Sequence, residues 1–288
     1  MLLMNVKLSR KKDDRYMANC DGNCESCAQS EGCASKGIQK AKLNDRSHIK
    51  RVVAILSGKG GVGKSFVTSV LATKLTREGY KVGILDADVT GPSIPKAFGI
   101  TEKAYGEDGL IYPILSGSGI KIMSANLLLD DESEPIIWRG VLLGNLVKQF
   151  YEDVLWEELD YLLIDMPPGT GDIALTTFQV LPIDDLIIVT SPQDLVSLVV
   201  TKAIKMARMM NINVLGVVEN MSYVKCPKCD EHIEVFGVSH LEDFSKKLDF
   251  KILGRLPVDP ENVKLVDEGQ VEFVDLPEID SVFEALEE

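Results

Sequence analysis

At 288 residues, 45% hydrophobic and 26% charged, the chain is long enough for one large domain with a sizeable core, or for one domain plus an appendage. A net charge of −13 argues against phosphate-backbone binding, so nucleic acid is not expected as a partner. The opening Met-Leu-Leu-Met is too short for a secretory core and no run approaches the roughly 18 apolar residues of a membrane span, so neither export nor a membrane partner is expected and a cytoplasmic, reducing setting is.

Residues 1–46 are polar, lack an apolar period and hold four of the six cysteines, which marks a Cys-rich N-terminal appendage ahead of a 47–288 domain. In a reducing compartment cysteines at close spacing read as metal ligands rather than disulfides. The group Cys20-x3-Cys24-x2-Cys27-x5-Cys33 can wrap one iron-sulfur cluster or a structural zinc without help from another chain; unliganded thiols are the third alternative. Its spacing matches neither common ferredoxin pattern. His48, just before the first predicted strand, reads as a solvated side chain.

From residue 49 onward, strand-like and helix-like stretches alternate. The β-branched run 49–56 suits a buried strand, and 64–78, ending at Gly79, has helical apolar spacing. Between them stands Gly58-Lys59-Gly60-Gly61-Val62-Gly63-Lys64-Ser65, a phosphate-binding loop. Its glycines turn backbone N–H groups around a polyphosphate, Lys64 reaches the outer phosphates and Ser65 offers a hydroxyl to Mg2+, all at a helix N-terminus. Lys59, set between two glycines, lies beside those phosphates. Phosphoryl transfer needs positive charge near the departing group, and Lys59 is placed to supply it across a dimer.

Further strands are predicted at 81–86, 161–165, 185–190, 213–219 and 251–256, with 110–115 and 120–123 as paired edge strands. The alternation predicts an α/β fold, a mostly parallel, doubly wound sheet of the P-loop NTPase kind. Ile84-Leu85-Asp86-Ala87-Asp88 and Tyr161-Leu162-Leu163-Ile164-Asp165 bring carboxylates to the carboxyl edge of the sheet, where such folds bind ligands. Gly169-Thr170-Gly171-Asp172 follows as a switch loop, and Ser191-Pro192-Gln193-Asp194 reads as the capped start of a helix over 192–210.

Gly58 to Ser65, with its second lysine, resembles the deviant Walker A class, which includes the MinD-type positioning ATPases, the nitrogenase iron protein, the arsenical pump ATPase and the Mrp/ApbC iron-sulfur carriers. Asp86-Ala87-Asp88-Val89-Thr90-Gly91-Pro92-Ser93, Trp138-Arg139-Gly140, the stretch from Leu159 to Asp172 and Val218-Glu219-Asn220-Met221-Ser222 narrow the resemblance to Mrp/ApbC over roughly residues 50 to 260. The resemblance implies ATP as nucleotide, with Asp88 preparing the attacking water, Asp86 and Asp165 supporting magnesium, Asn220 reading the adenine and Pro257-Val258-Asp259 packing along the base. Val141 departs from the family, where proline is common. Many relatives lack the N-terminal cysteines, while the eukaryotic cytosolic scaffold branch carries four at a different spacing.

Cys226-Pro227-Lys228-Cys229 offers two thiolates where a four-iron, four-sulfur (4Fe-4S) cluster or tetrahedral zinc wants four ligands. A two-fold dimer would bring two such pairs around one shared cluster. A zinc knuckle recruiting His232 or His240, or a redox dithiol, are the alternatives, and the resemblance favours the bridging cluster. The expectation is a homodimeric, ATP-hydrolysing carrier that hands a 4Fe-4S cluster to apo iron-sulfur proteins. A nitrogenase-type reductase, a MinD-like positioning ATPase and a scaffold with negligible turnover are the rivals. Against MinD, the tail from Asp275 to Glu288 is acidic and would be repelled from anionic lipid.

Overall fold

Apolar runs buried on both faces are what a central parallel strand requires, and they form the middle of the sheet here. The structure, a computed structural model, describes residues 40–88, 91, 93–128, 140–193 and 196–288, which fall within one unit, Lys40–Glu288. The four N-terminal cysteines, Trp138-Arg139, Val89, Thr90, Pro92 and Asp194 lie outside the described residues.

In chain order the elements are β1 (His48–Ser57), α1 (Lys64–Arg77), β2 (Val82–Asp86), α2 (Ile94–Ala97), β3 (Tyr105–Glu107), β4 (Leu110–Tyr112), β5 (Ile114–Leu115), β6 (Lys121–Ser124) and α3 (Gly140–Glu152). There follow β7 (Glu158–Asp165), α4 (Asp172–Val180), β8 (Asp185–Thr190), α5 (Val196–Met209), β9 (Asn213–Lys225) and β10 (His232–Ile233). Last come α6 (Leu241–Leu248), β11 (Ile252–Pro257), α7 (Pro260–Asp267) and α8 (Asp280–Glu287). The main sheet runs β10-β9-β8-β1-β7-β2-β6-β5, with β11 also on β9. Pairing is parallel except at the ends, where β10 meets β9 and β5 meets β6 antiparallel. The fold is therefore the expected mostly parallel α/β sheet of a P-loop NTPase.

Side-chain alternation along β1 feeds two cores. Val52, Ala54 and Leu56 join Phe150, Phe178 and Ile204 on the face covered by α3, α4 and α5. Val53 and Ile55 join Val67, Leu71 and Leu75 of α1 and Val282 and Leu286 of α8 on the other. Residues 40–46 pack on the first layer: Lys40 Nζ donates to the carbonyls of Phe178 and Leu181 at 2.7 Å each, and Asn44 Nδ2 donates to Val154 O at 2.9 Å.

Three predicted details differ. Only Ile114–Leu115 pairs with β6, while Leu110–Tyr112 pairs with β3 in a separate two-stranded sheet. Among the described residues the helix expected over 192–210 begins at Val196, and the hydroxyl of buried Ser191 caps nothing, finding no hydrogen-bond partner among them. Strand β9 runs six residues past the predicted end at 219, because its pairing passes from β8 to β11 and β10. Helix α3 begins at Gly140 with Val141 in its first turn.

Candidate functional site

Strand β1 delivers the chain to the carboxyl edge of the sheet, and α1 leads it back. Between them Gly61 and Gly63 adopt φ of 80° and 81°, a left-handed backbone that favours glycine. Gly63 has a second constraint: a Cβ there would sit 2.1 Å from Asn220 Nδ2. Gly58 is confined by Val199 of α5, whose Cγ1 would meet a Cβ at 2.1 Å. At Gly60 and Gly61 nothing lies within 4 Å of where a Cβ would stand. Lys64 and Ser65 open the first turn of α1.

Asp86 and Asp165 are direct register partners at the ends of β2 and β7. Asp165 gathers the loop: its Oδ2 accepts from Lys64 Nζ and Ser65 Oγ, both at 2.6 Å, and its Oδ1 accepts from Thr68 Oγ1 at 2.7 Å. Lys64 Nζ also lies 3.8 Å from Asp88 Oδ2. Asp86 accepts from the Asp88 amide at 3.1 Å and from Ser124 Oγ at 3.2 Å. Complete burial, with the Asp165 carboxylate adding repulsion, pushes the Asp86 carboxyl up to about 8. The hydroxyl of Ser65 and the carboxyl oxygens of Asp86 and Asp165 form an all-oxygen donor set, which fits magnesium. Thr68 and Ser124 were not singled out from the sequence; Thr68, one helical turn after Lys64, was the more legible of the two.

The Asp165 hub has a measurable stability. Lys64 and Asp165 expose 6% and 1% of their side chains, so Asp165→Ala leaves a buried ammonium whose remaining acids are Asp88, 3.8 Å away, and the Asp86 carboxyl. Breaking a buried pair from one side costs about 3 kcal/mol or more, and we expect a loss of about 3 because Asp88 and Asp86 remain. Urea unfolding in EDTA measures it. A loss well below about 1 kcal/mol, the scale of an exposed pair, would contradict the hub.

Lys59 turns its ammonium to Gln193 Oε1 in the loop after β8. Nothing in the spacing of the sequence pointed to Gln193. The loop is also tied to the predicted switch, since the Gly169 amide donates to Ser57 O at 2.7 Å. Asn220, 4% exposed on β9, donates its side-chain amide to Val62 O at 2.9 Å, directly against the phosphate loop. Pro257 ends β11 opposite Tyr223, and Asp259 caps α7, its Oδ1 accepting from the Glu261 amide at 2.8 Å. Pro257 and Asp259 thus stand at the end of the strand that pairs with the Asn220 region of β9.

Past Asn220, β9 runs on beyond β8, paired with β11 as far as Tyr223 and with β10 at Val224 and Lys225, and reaches the turn from Cys226 to Cys229 up to about 20 Å from Asn220 at the ordinary rise per strand residue. The turn is closed by the Cys226 amide on Glu231 O at 2.9 Å and the Asp230 amide on Cys226 O at 3.0 Å. Both thiols are free, Cys226 half-buried and Cys229 exposed. The N–H groups of Lys228 and Cys229, then the Cys229 thiol, hold the Cys226 thiol below the ordinary 9.0 and so favour its thiolate, the form that binds metal. His232 stacks on Tyr223 with ring centroids 3.7 Å apart. Among the described residues no three His, Cys, Asp or Glu side chains converge on a metal position, so the hairpin presents two soft ligands. Ile233 of β10 and, after the hairpin, Val235, Phe236 and Val238 are exposed and apolar.

The chain is similar to known proteins. The ParA family model described as NUBPL iron-transfer P-loop NTPase matches residues 48–287. A protein of Clostridium perfringens named iron-sulfur cluster carrier protein is 44% identical over 283 residues, spanning 92% of this chain and 99% of its own. A protein of the same name from Methanocaldococcus jannaschii is 47% identical over 261 residues, 88% of this chain and 90% of its own. Among solved structures, a nucleotide-binding protein from Archaeoglobus fulgidus in complex with ADP is similar with a TM-score of 0.72 at 42% identity, covering 80% of this chain and 90% of that one.

Proposed function

The chain belongs to the NUBPL iron-transfer P-loop NTPase family, and from that premise we propose that it is a homodimeric ATPase that assembles a 4Fe-4S cluster between two subunits and passes it to apo iron-sulfur proteins. The observation that carries this reading is the pair of free thiols at the tip of the β9–β10 hairpin, on the same strand whose Asn220 touches the phosphate loop. Two soft ligands per chain fall short of the four such a cluster takes, and a two-fold axis makes up the number. An exposed position suits cargo that has to leave.

In this reading the backbone of Gly58, Gly60, Gly61, Val62 and Gly63 cradles the triphosphate, Lys64 contacts its outer phosphates and Lys59 reaches the partner's nucleotide. Asp88 orients the attacking water, while Asn220, Pro257 and Asp259 line the base. Magnesium, held by Ser65, Asp165 and Asp86, would neutralise charge on the phosphate oxygens. The loop 166–172, fixed to Ser57 through Gly169, reports occupancy to the subunit interface. Cys20, Cys24, Cys27 and Cys33 are proposed to hold a second iron-sulfur cluster, with zinc as the alternative occupant. Free thiols and a cluster of this kind call for a reducing, cytoplasmic setting. Among the described residues no helix is long and apolar enough to cross a membrane.

The test is anaerobic reconstitution with iron and sulfide, followed by mixing with an apo four-iron acceptor. We expect the acceptor to become active without external reductant as the donor loses its visible absorption. Reduction of the acceptor without cluster loss would instead show a reductase, and failure to form any cluster would remove both readings.

A further inference from the structure

Glu219 is a buried acid that neither the nucleotide nor the thiol chemistry employs. It is 2% exposed and immediately precedes Asn220 on β9. Its Oε2 accepts from Ser222 Oγ and its Oε1 accepts from Ser239 Oγ at 2.6 Å. Those two serines bracket residues 223–238, which contain the Cys226–Cys229 turn and the exposed apolar run. The Ser239 hydroxyl in turn accepts from the Leu241 amide at 3.2 Å, fixing the start of α6. Arg255 of β11 stands 3.7 Å from Glu219 Oε2 and 3.3 Å from Glu242. One carboxyl group therefore holds both the outgoing and the returning strand of the cysteine-bearing excursion.

The same short stretch reaches the phosphate loop. Asn220 donates to Val62 O, and Met221 approaches Gly63. Met221 has φ of 58°, a left-handed backbone that non-glycine residues seldom adopt. It coincides with a shift in the pairing register between β9 and β11, a bulge of the kind that re-aims a strand beside a functional site.

We propose that Glu219 is a positioning residue that couples occupancy of the phosphate loop to the exposure of Cys226 and Cys229. The inference rests on the reading that ATP binds this loop and that the thiols carry cargo. Phosphates entering the loop adjust the Val62 carbonyl, Asn220 follows through its amide, and the adjoining peptide swings the Glu219 carboxyl. Because both serines end on that one group, the two sides of the excursion move together and the thiol turn moves with them. Of the remaining tethers, Tyr223 O to the Val258 amide and Tyr223 OH to Glu278 hold the outgoing side, and Arg255 Nη2, donating to Ser239 Oγ at 3.5 Å, steadies the returning side.

The experiment follows iodoacetamide alkylation of Cys226 and Cys229 in the full-length protein, each read by mass spectrometry, with and without MgATP. In the unmodified protein the nucleotide changes the rate by about five-fold or more, the low end of inter-site coupling. In Glu219→Ala, and in the gentler Ser239→Ala, that ratio falls to about one while ATP affinity is unchanged; Glu219→Gln, which still accepts a hydroxyl, keeps part of it. A ratio retained in both alanine variants, no nucleotide response in the unmodified protein, or a parallel loss of ATP affinity would each overturn the proposal. Alkylation needs no cluster, so a nucleotide response in protein that cannot be reconstituted would sink the carrier reading and leave the coupling standing.

Discussion

Lys59→Ala lowers ATP turnover by about 10³-fold while ATP affinity changes little, since a cationic finger at a phosphoryl-transfer site is worth that much or more in rate. The lysine's own position argues for action on a second chain. Lys64 is drawn down onto Asp165, whereas the exposed ammonium of Lys59 turns instead to Gln193 in the loop after β8. A charge so placed contributes little to ground-state binding and much where negative charge develops, so the loss falls on kcat rather than KM. Mixing subunits separates action in trans from action in cis. A Lys59→Ala chain keeps Asp88, and an Asp88→Asn chain keeps Lys59. If the lysine acts on its neighbour, one site of each mixed dimer is whole and an equimolar mixture recovers about a quarter of normal turnover. No recovery, or a Lys59→Ala protein with normal turnover, would reduce Lys59 to a surface charge.

Cys226→Ala, Cys229→Ala abolishes cluster transfer and lowers reconstituted iron by about two atoms per chain, the share of one four-iron cluster held by two chains. Either single substitution gives nearly the same result, because the two-fold axis removes two ligands from the cluster at a stroke. Basal ATP hydrolysis stays within a few-fold, as the thiols lie in the turn after β9, which starts six residues past Asn220, and are none of the residues proposed to hold the nucleotide. Iron analysis, the visible spectrum and the acceptor assay read the three quantities separately. Iron content unaffected by the double substitution would place all bound metal elsewhere in the chain.

What the sequence revealed and what it concealed follow a physical division. Strands such as 161–165 were legible because burial on both faces turns alternation into an unbroken apolar run that ends at a carboxylate. The phosphate loop was legible because glycines at Gly61 and Gly63 answer a local backbone requirement. The start of α5 was misread: Ser191 and Pro192 carry the local signal of a helix start, yet both are buried in the turn after β8, and the helix begins where it can pack on Gly58. The far half of β9 was missed since Asn220 and Ser222 break the apolar pattern, and pairing there comes from strands made later. Lys59 with Gln193, Asn220 with Val62 and Glu219 with Ser239 unite residues through the fold alone, so spacing along the chain gave no sign of them.

The place of β1 in the middle of the sheet sets a problem for the ribosome. Its backbone is satisfied by β7 and β8, with contacts such as Lys50 to Asp160 and Val52 to Asp184 that span 110 and 132 residues. Among the described strands the sticky stretch 52–56 is therefore synthesised first and has to wait, unpaired, until more than a third of the polypeptide has followed. Such a topology folds slowly and offers an aggregation-prone edge to the nascent chain, so yield in a host cell should respond to translation speed and chaperone supply more than to the final stability of the folded protein.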